Sequence, residues 1–333
     1  ADYAAFQKGM SYGFVNKNDK KIEDLTKFVS TYKTSQYLDD ALYELGNTYT
    51  AEEMNDKAIS TFDNLINNNK NSAYVAKSIL KQGLIYYNTD KDDAAITKFK
   101  KVVAEFPNSP ESLEAVATAK SIYKANGKVG EYAAWVKTLS FVEVTDAELD
   151  NDMYESAEKQ YLNNSPKKAI EGFTSYLAQF PNGLHALKVH FYLAQLYFAD
   201  KLEKNAIPHY DYVIAQARNE FTEQALVRLS EIHLKDKNCE LAISVLKQVE
   251  TIAEFPQNTT FAQANLMKCY YEKQDFVNSE IYADKVLKNP KMDDKIKSDA
   301  QIIIARSAIK TNNDAKAKEA YAKLQKIAKG ELA

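Results

Sequence analysis

A landmark that returns every 37 residues is the strongest constraint in this sequence. Tyr12, Tyr49, Tyr86 and Tyr123 stand at that interval, and Gly9, Gly46 and Gly83 precede the first three by three residues. About nine residues after each tyrosine position comes a mostly small residue: Lys21, Ala58, Ala95, Ala133, Ala169, Ala206, Ala242, Ser279 and Ala317. The steps between these nine are 37, 37, 38, 36, 37, 36, 37 and 38 residues. Four residues later lies a mostly bulky position: Leu25, Phe62, Phe99, Lys137 (with Trp135 nearby), Phe173, Tyr210, Leu246, Ala283 and Tyr321. Nine registered copies of one short unit build a core by stacking, because one such unit is too small to bury its own apolar face.

Within a unit the pattern reads helix, turn, helix. From Tyr37 to Ala51 the apolar residues Leu38, Ala41, Leu42, Leu45 and Tyr49 fall at helical steps, Glu52 to Asp56 form a polar turn, and Ala58, Ile59, Phe62, Leu65 and Ile66 mark a second amphipathic helix. Turn-formers separate units at 105–110, 179–183 and 254–258, where a proline ends one helix and Asn or Ser caps the next. With only 9 glycines and 7 prolines against 22 tyrosines and 15 phenylalanines, the composition favours helix. The expected fold class is all-α. A small residue (Gly46, Gly83, Ala157, Ala194) lets the two helices of a unit approach, and the tyrosine and the bulky residue are expected to fill the space between a unit and its successor.

Asp40 to Tyr49 (Asp-Ala-Leu-Tyr-Glu-Leu-Gly-Asn-Thr-Tyr) resembles the first helix of a tetratricopeptide repeat (TPR), and Lys57 to Phe62 resembles the start of a second one. The Phe106-Pro107-Asn108-Ser109-Pro110 linker is similar to that of a bacterial cell-envelope subgroup, the Tol-Pal accessory protein and the lipoprotein of the outer-membrane assembly machinery among them. The resemblance implies a right-handed α-solenoid of about nine repeats with a period of 36–38 residues. The family's usual period is about 34 residues, so this chain has longer helices or turns. Its first-helix tyrosine is replaced by His233 in unit seven and Ala308 in unit nine. Unit four is degenerate, with Gly127 and Gly130 in its turn, Trp135 in place of a smaller residue, and an extended Phe141-Val142-Glu143-Val144-Thr145-Asp146 after it. A hinge near 140–147 is expected there, dividing repeats 1–4 (residues 1–145) from repeats 5–9 (146–333).

No constellation of catalytic residues emerges. His185, His190, His209 and His233 form no metal-ligand spacing with one another or with Cys239 and Cys269, and are read as surface or packing histidines. Asp39-Asp40, Asp92-Asp93 and Asp293-Asp294 sit where aspartate caps a helix, a commoner role than acid–base chemistry. Gly127-Lys128 lacks the spacing of a phosphate loop. Two cysteines make no disulfide framework and leave the redox compartment open. No cofactor, metal or enzymatic activity is expected. The net charge of −3, with both signs interspersed, does not suit nucleic acid, and no apolar run is long enough to span a membrane.

The resemblance implies instead a protein–protein interaction scaffold, binding a peptide or protein partner on a concave wall of first helices at unit positions 2, 5, 9 and 12. Those positions give Tyr43, Asn47, Leu80, Leu84, Tyr87, Tyr154, Tyr161, Phe191, Phe198, Phe261 and Tyr271, with Tyr3, Phe6, Met10, Thr50, Glu158, Gln195 and Lys268 beside them. Some of these pack helix on helix instead. The lysine and asparagine set that clamps a C-terminal carboxylate in chaperone-type members does not recur. The subgroup likeness implies a periplasmic or outer-membrane-associated protein, with a cytoplasmic one as the alternative, and a structural spacer or self-associating array is the alternative function. The last helix, with Lys316, Lys318, Lys323, Lys326 and Lys329, reads as a solvent-facing cap. The first, with Tyr3, Phe6, Met10, Tyr12 and Phe14, reads as uncapped, so further repeats are expected before residue 1.

Overall fold

The computed structural model describes the backbone of residues 1–331 and the side chains of residues 1–325. Among the described residues it contains eighteen α-helices and no strand. They form nine pairs, each a first helix and a second helix joined by a short turn. The chain divides into two compact units, Ala1–Phe180 and Pro181–Ala333.

The first unit holds α1 (Asp2–Phe14), α2 (Asn18–Thr31), α3 (Leu38–Ala51), α4 (Asn55–Asn68), α5 (Val75–Asn88), α6 (Asp92–Glu105), α7 (Pro110–Ala125), α8 (Val129–Val136), α9 (Asp146–Leu162) and α10 (Pro166–Gln179). The second holds α11 (Ala186–Ala199), α12 (Glu203–Ala215), α13 (Thr222–Lys235), α14 (Cys239–Ile252), α15 (Pro256–Glu272), α16 (Phe276–Lys288), α17 (Asp294–Lys310) and α18 (Asp314–Glu331).

The small and bulky positions meet inside each repeat. A Cβ placed on Gly46 would fall 2.5 Å from the Phe62 ring, and one on Gly83 would fall 2.5 Å from Phe99. Phe62, Phe99 and Phe173 are fully buried. The bulky residue of the second helix therefore packs on the small residue of its own first helix, where the periodicity alone had placed it between successive repeats. Its ring supplies the apolar area that makes the helix pair adhere, at about 25 cal/mol per Å² removed from water. The tyrosine does reach across repeats: Tyr49 Oη lies 3.3 Å from Thr26 Oγ1 of the preceding one.

Every first helix ends in the same backbone device. Asn16, Glu53, Asp90, Gly127, Asn164, Lys201, Lys237, Gln274 and Asn312 all adopt positive φ, between 53° and 75°. The amide of the next residue donates to the carbonyl five residues back: Lys17 to Tyr12, Met54 to Tyr49, Lys91 to Tyr86, Lys128 to Tyr123, Ser165 to Gln160, Leu202 to Tyr197, Asn238 to His233, Asp275 to Tyr270 and Asn313 to Ala308, at 2.7–3.0 Å. This is the Schellman closure, which satisfies carbonyls that a helix end would leave bare. The tyrosine position is thus the acceptor of the turn through its backbone. Unit five carries Gln160 there, so the tyrosine is missing from units five, seven and nine.

Unit four departs as its sequence suggested, with corrections. Gly130 lies within α8, and α8 has only 8 residues. Lys137 is exposed and Trp135 half-buried; Tyr132 and Val136 fill the core instead. Residues 142–145 are irregular and form no strand. Because α8 is short, α7 and α9 are held partly by charge: Asp152 lies 2.6 Å from Lys120 Nζ and 2.8 Å from Lys124 Nζ, and Ser156 Oγ donates to the Lys124 carbonyl at 2.8 Å. Thr145 and Glu148 close a capping box at the start of α9.

The end helices differ from expectation in one respect. Phe6 is buried, with its ring 5.8 Å from Phe28 and stacked at 5.4 Å on Tyr37, so it faces the next repeat; Tyr3 and Phe14 are exposed. On α18, Lys316 pairs with Glu280 at 2.6 Å and Lys323 with Glu319 at 2.7 Å. The side chains of Lys326 and Lys329 lie outside the described residues.

Candidate binding wall on the first helices

In repeats one, two and six, position 5 carries a ring that clamps the next repeat. Phe6 stacks on Tyr37, Tyr43 on Tyr74 at 4.5 Å, and Phe191 on Phe221 at 4.4 Å. Tyr37, Tyr74 and Phe221 are the N-cap residues of α3, α5 and α13, the first helices of the following repeats. Stacked and offset aromatic pairs add about 0.5–1.5 kcal/mol beyond the area they bury. Tyr74 Oη also donates to Asp40 Oδ1 at 2.7 Å, and that carboxylate, with burial, pushes the phenol up to about 12. The partner of each ring sits 30 or 31 residues downstream, so each pair joins one repeat to the next.

The expected wall residues accordingly separate into two groups. Leu80, Tyr154 and Phe191 are buried. Tyr154 lies among Phe173 and Tyr176 and donates its hydroxyl to Glu158. Asn47, Leu84, Tyr161, Phe198, Phe261 and Tyr271 are half-buried, as is Tyr43 beneath Tyr74, and Tyr87 is exposed. The Tyr161 ring leans on Phe173 at 6.3 Å and Tyr271 on Phe276 at 5.8 Å. Of their neighbours, Met10, Thr50, Glu158 and Gln195 are half-buried and Lys268 is exposed, paired with Asp299 at 3.0 Å. Some first helices of successive repeats touch directly, α5 with α7 and α7 with α9 in the first unit and α15 with α17 in the second, so neighbouring faces adjoin there.

Repeat seven carries a shaped part of the first-helix surface. A cleft of about 480 Å³ opens between α13 and the start of α15, walled by Gln224, Val227 and Glu231, with Arg218, Glu223, Arg228, Glu254 and Phe255 around it. Gln224, Val227 and Glu231 occupy unit positions 2, 5 and 9. They carry no aromatic ring, and the same register extended into repeat seven places them on the wall. Arg228 lies 4.8 Å from the centre of the Phe198 ring and pairs with Glu231 at 2.7 Å, and Arg218 pairs with Glu254 at 2.6 Å. Burial would raise the Glu223 carboxyl, but the Glu254 and Phe255 amides and Asn258 Nδ2 all donate to it and bring it below the ordinary carboxylate range. Glu223 therefore fixes the chain entering α15, and Phe255 stands 57% exposed at the rim.

Among the described residues no three ligand-type side chains converge. His190 and His209 do face each other, Nδ1 to Nδ1 at 2.9 Å, with Tyr212 stacked 3.7 Å from His190 and Tyr197 lying 5.8 Å from His209. Burial, then His209, holds His190 down at about 4, and burial also lowers His209. Of the acidic pairs only Asp293 caps its helix, its Oδ1 accepting from the Ile296 amide at 2.7 Å; α3 and α6 carry no side-chain cap, and Asp39 instead accepts from Ser72 Oγ of the next repeat at 2.7 Å, as Asp2 does from Ser35 one repeat earlier. Among the described residues no helix is long and apolar enough to cross a membrane.

Residues 40–72 and 77–109 match the tetratricopeptide repeat family. No curated protein sequence matches the chain. Among solved structures it is similar to a tetratricopeptide repeat protein from Parabacteroides merdae (12% identity, 78% of this chain and 96% of that one, TM-score 0.37). It is also similar to the TPR2AB domain of yeast Sti1 in its pHSP90 complex (14%, 81% and 97%, TM-score 0.38) and to PilW, a type IV pilus biogenesis factor (15%, 65% and 93%, TM-score 0.33). The segments 40–72 and 77–109 are thus tetratricopeptide-like repeats, and they lie within an all-helical chain that, among the described residues, forms nine helix pairs.

Proposed function

We propose that the chain is a non-enzymatic scaffold that holds a protein or peptide partner on the exposed parts of its first-helix wall. The observation that carries this reading is the α13 cleft, where apolar Val227 and Phe198 sit beside the Arg228–Glu231 pair and the exposed Phe255. Aromatic anchors among arginine and carboxylate groups are the composition of a protein interface rather than of a small-molecule pocket. Its four glutamates (220, 223, 231, 254) against two arginines (218, 228) favour a partner segment with a basic residue next to an apolar one. The proposed setting is a bacterial envelope complex, on the likeness of the Phe106–Pro110 linker to that subgroup.

Site-specific photocrosslinking tests it. A photoreactive residue at 198, 231 or 271 should trap a partner, and one at Leu241, Val277 or Ile281, exposed on second helices, should not. Equal trapping at both sets would overturn the wall assignment. Adducts only between copies of this chain would favour the self-associating array instead.

A further inference from the structure

Cys239 is the first residue of α14 and Cys269 lies in α15. One belongs to the second helix of repeat seven and the other to the first helix of repeat eight. Nothing in their sequence positions pairs them, yet their Sγ atoms lie 2.8 Å apart, less than about 1 Å beyond the ~2.05 Å of a disulfide bond. Cys269 is buried, while Cys239 is half-buried and lines a shallow cleft with Asp236, Lys237, Glu240, Glu272 and Lys273. A reagent in solution can therefore reach Cys239, and Cys269 is placed to reach only Cys239.

We propose that Cys239 and Cys269 are a redox pair that closes to a disulfide and staples repeat seven to repeat eight. The oxidant is an external disulfide of the glutathione class. Cys239 loses its proton and its thiolate attacks one oxidant sulfur, breaking the S–S bond and releasing one small thiolate, which takes up a proton. Cys269 then loses its proton and attacks Cys239 Sγ, expelling the second small thiolate. In sum, two protein thiols give up two protons and two electrons, and the external disulfide becomes two thiols.

The surroundings set the kinetics of this exchange. Burial pushes both thiols up, and Glu272, whose Oε2 lies 3.1 Å from Cys239 Sγ, adds to the effect at Cys239. A scarce thiolate makes the opening attack slow. The same high basicity makes each sulfur a poor leaving group, so the closed bond resists reduction. The geometry therefore describes a staple that is set once rather than a fast switch.

The test uses the full chain incubated with oxidised glutathione, alkylated under denaturing conditions and digested with trypsin. The expected product joins peptides 238–247 and 269–273, two hydrogens lighter than the two reduced peptides together, with no alkylated thiol. Closing this loop should raise the Tm by about 5–10 °C, and dithiothreitol should reverse the rise. Cys239→Ser and Cys269→Ala should each abolish the redox response of Tm. Two alkylated cysteines after oxidation would overturn the proposal, as would a persistent glutathione adduct on Cys239 or disulfide-linked dimers without the joined peptide. These outcomes are read on the wild-type chain, so they stand whether or not the variants fold. They are also independent of partner capture by the wall.

Discussion

The Phe62 ring occupies the space that a Cβ on Gly46 would need: Cε1 lies 2.5 Å from that position and Cζ 2.7 Å. The opposing atoms belong to a rigid ring with no exposed surface, so little can give way. Alanine in a helix interior gains about 1 kcal/mol over glycine, but overpacking costs about 1–3 kcal/mol. Gly46→Ala is expected to lower stability by up to roughly 2 kcal/mol in urea unfolding, and Phe62→Leu in the same chain to recover part of the loss. A stabilised Gly46→Ala chain would show that α3 and α4 are packed less closely.

Lys201 holds φ at +60°, a conformation that costs an L side chain about 1–2 kcal/mol relative to the right-handed region. Glycine escapes most of that cost but loses unfolded-state constraint. Lys201→Gly should therefore stabilise the chain by about 0.5–1 kcal/mol, while Lys201→Ala, which keeps a Cβ, should change little. Thermal melts of the two variants make the comparison, and equal Tm values would remove the left-handed turn as the cause.

His190 and His209 both titrate below the usual histidine value, His190 near 4. Between that value and about 6.5 the unfolded chain binds more protons than the folded one, so stability rises with pH across this window. It is fully present above about 6.5 and is lost as the pH falls toward 4. On the order of 1–2 kcal/mol should disappear between pH 7.5 and 5. Urea midpoints at those two pH values measure it, and His190→Phe should flatten the difference; an unchanged slope in that variant would locate the acid sensitivity elsewhere.

Around residues 140–147 we propose a hinge between repeats 1–4 and 5–9. The connection after α8 is irregular, and Lys137 within it is exposed and held to Asp146 at 3.2 Å. Trypsin is expected to cut first after Lys137, leaving two protected fragments. Asp152→Ala, which frees Lys120 from α9 and leaves Lys124 held there only by Glu155 and Ser156, should speed that cut. Early cleavage elsewhere, with residues 130–150 intact, would rule the hinge out.

Much of this fold was legible because its packing repeats in the side chains. Gly46 with Phe62 and Gly83 with Phe99 carry the same pair at the same interval, and the interval counts the helix pairs. What stayed hidden lies off that interval or in the backbone. The clamp partners of Phe6, Tyr43 and Phe191 come from the next repeat, so residues read as an accessible wall are partly covered by Tyr37, Tyr74 and Phe221. The turn residues share a conformation but no chemistry, ranging from Gly127 to Glu53 and Lys201. In unit four the register slips by one residue, which brings Val136 inward and turns Lys137 out. The α13 cleft leaves no mark in the aromatic pattern, because Gln224, Val227 and Glu231 keep their places without an aromatic ring among them.

Nine first helices end on one backbone conformation whose acceptor is a carbonyl, and a carbonyl is supplied by every residue type. The side chain above it is therefore free to change, as Gln160, His233 and Ala308 show, while the joint persists. Equivalent joints are also interchangeable cut points. Deleting residues 54–90, from just after Glu53 through Asp90, would splice α3 onto α6 and leave every remaining helix with a partner of the right kind. An array jointed in this way can be lengthened or shortened by whole periods without designing a new connection.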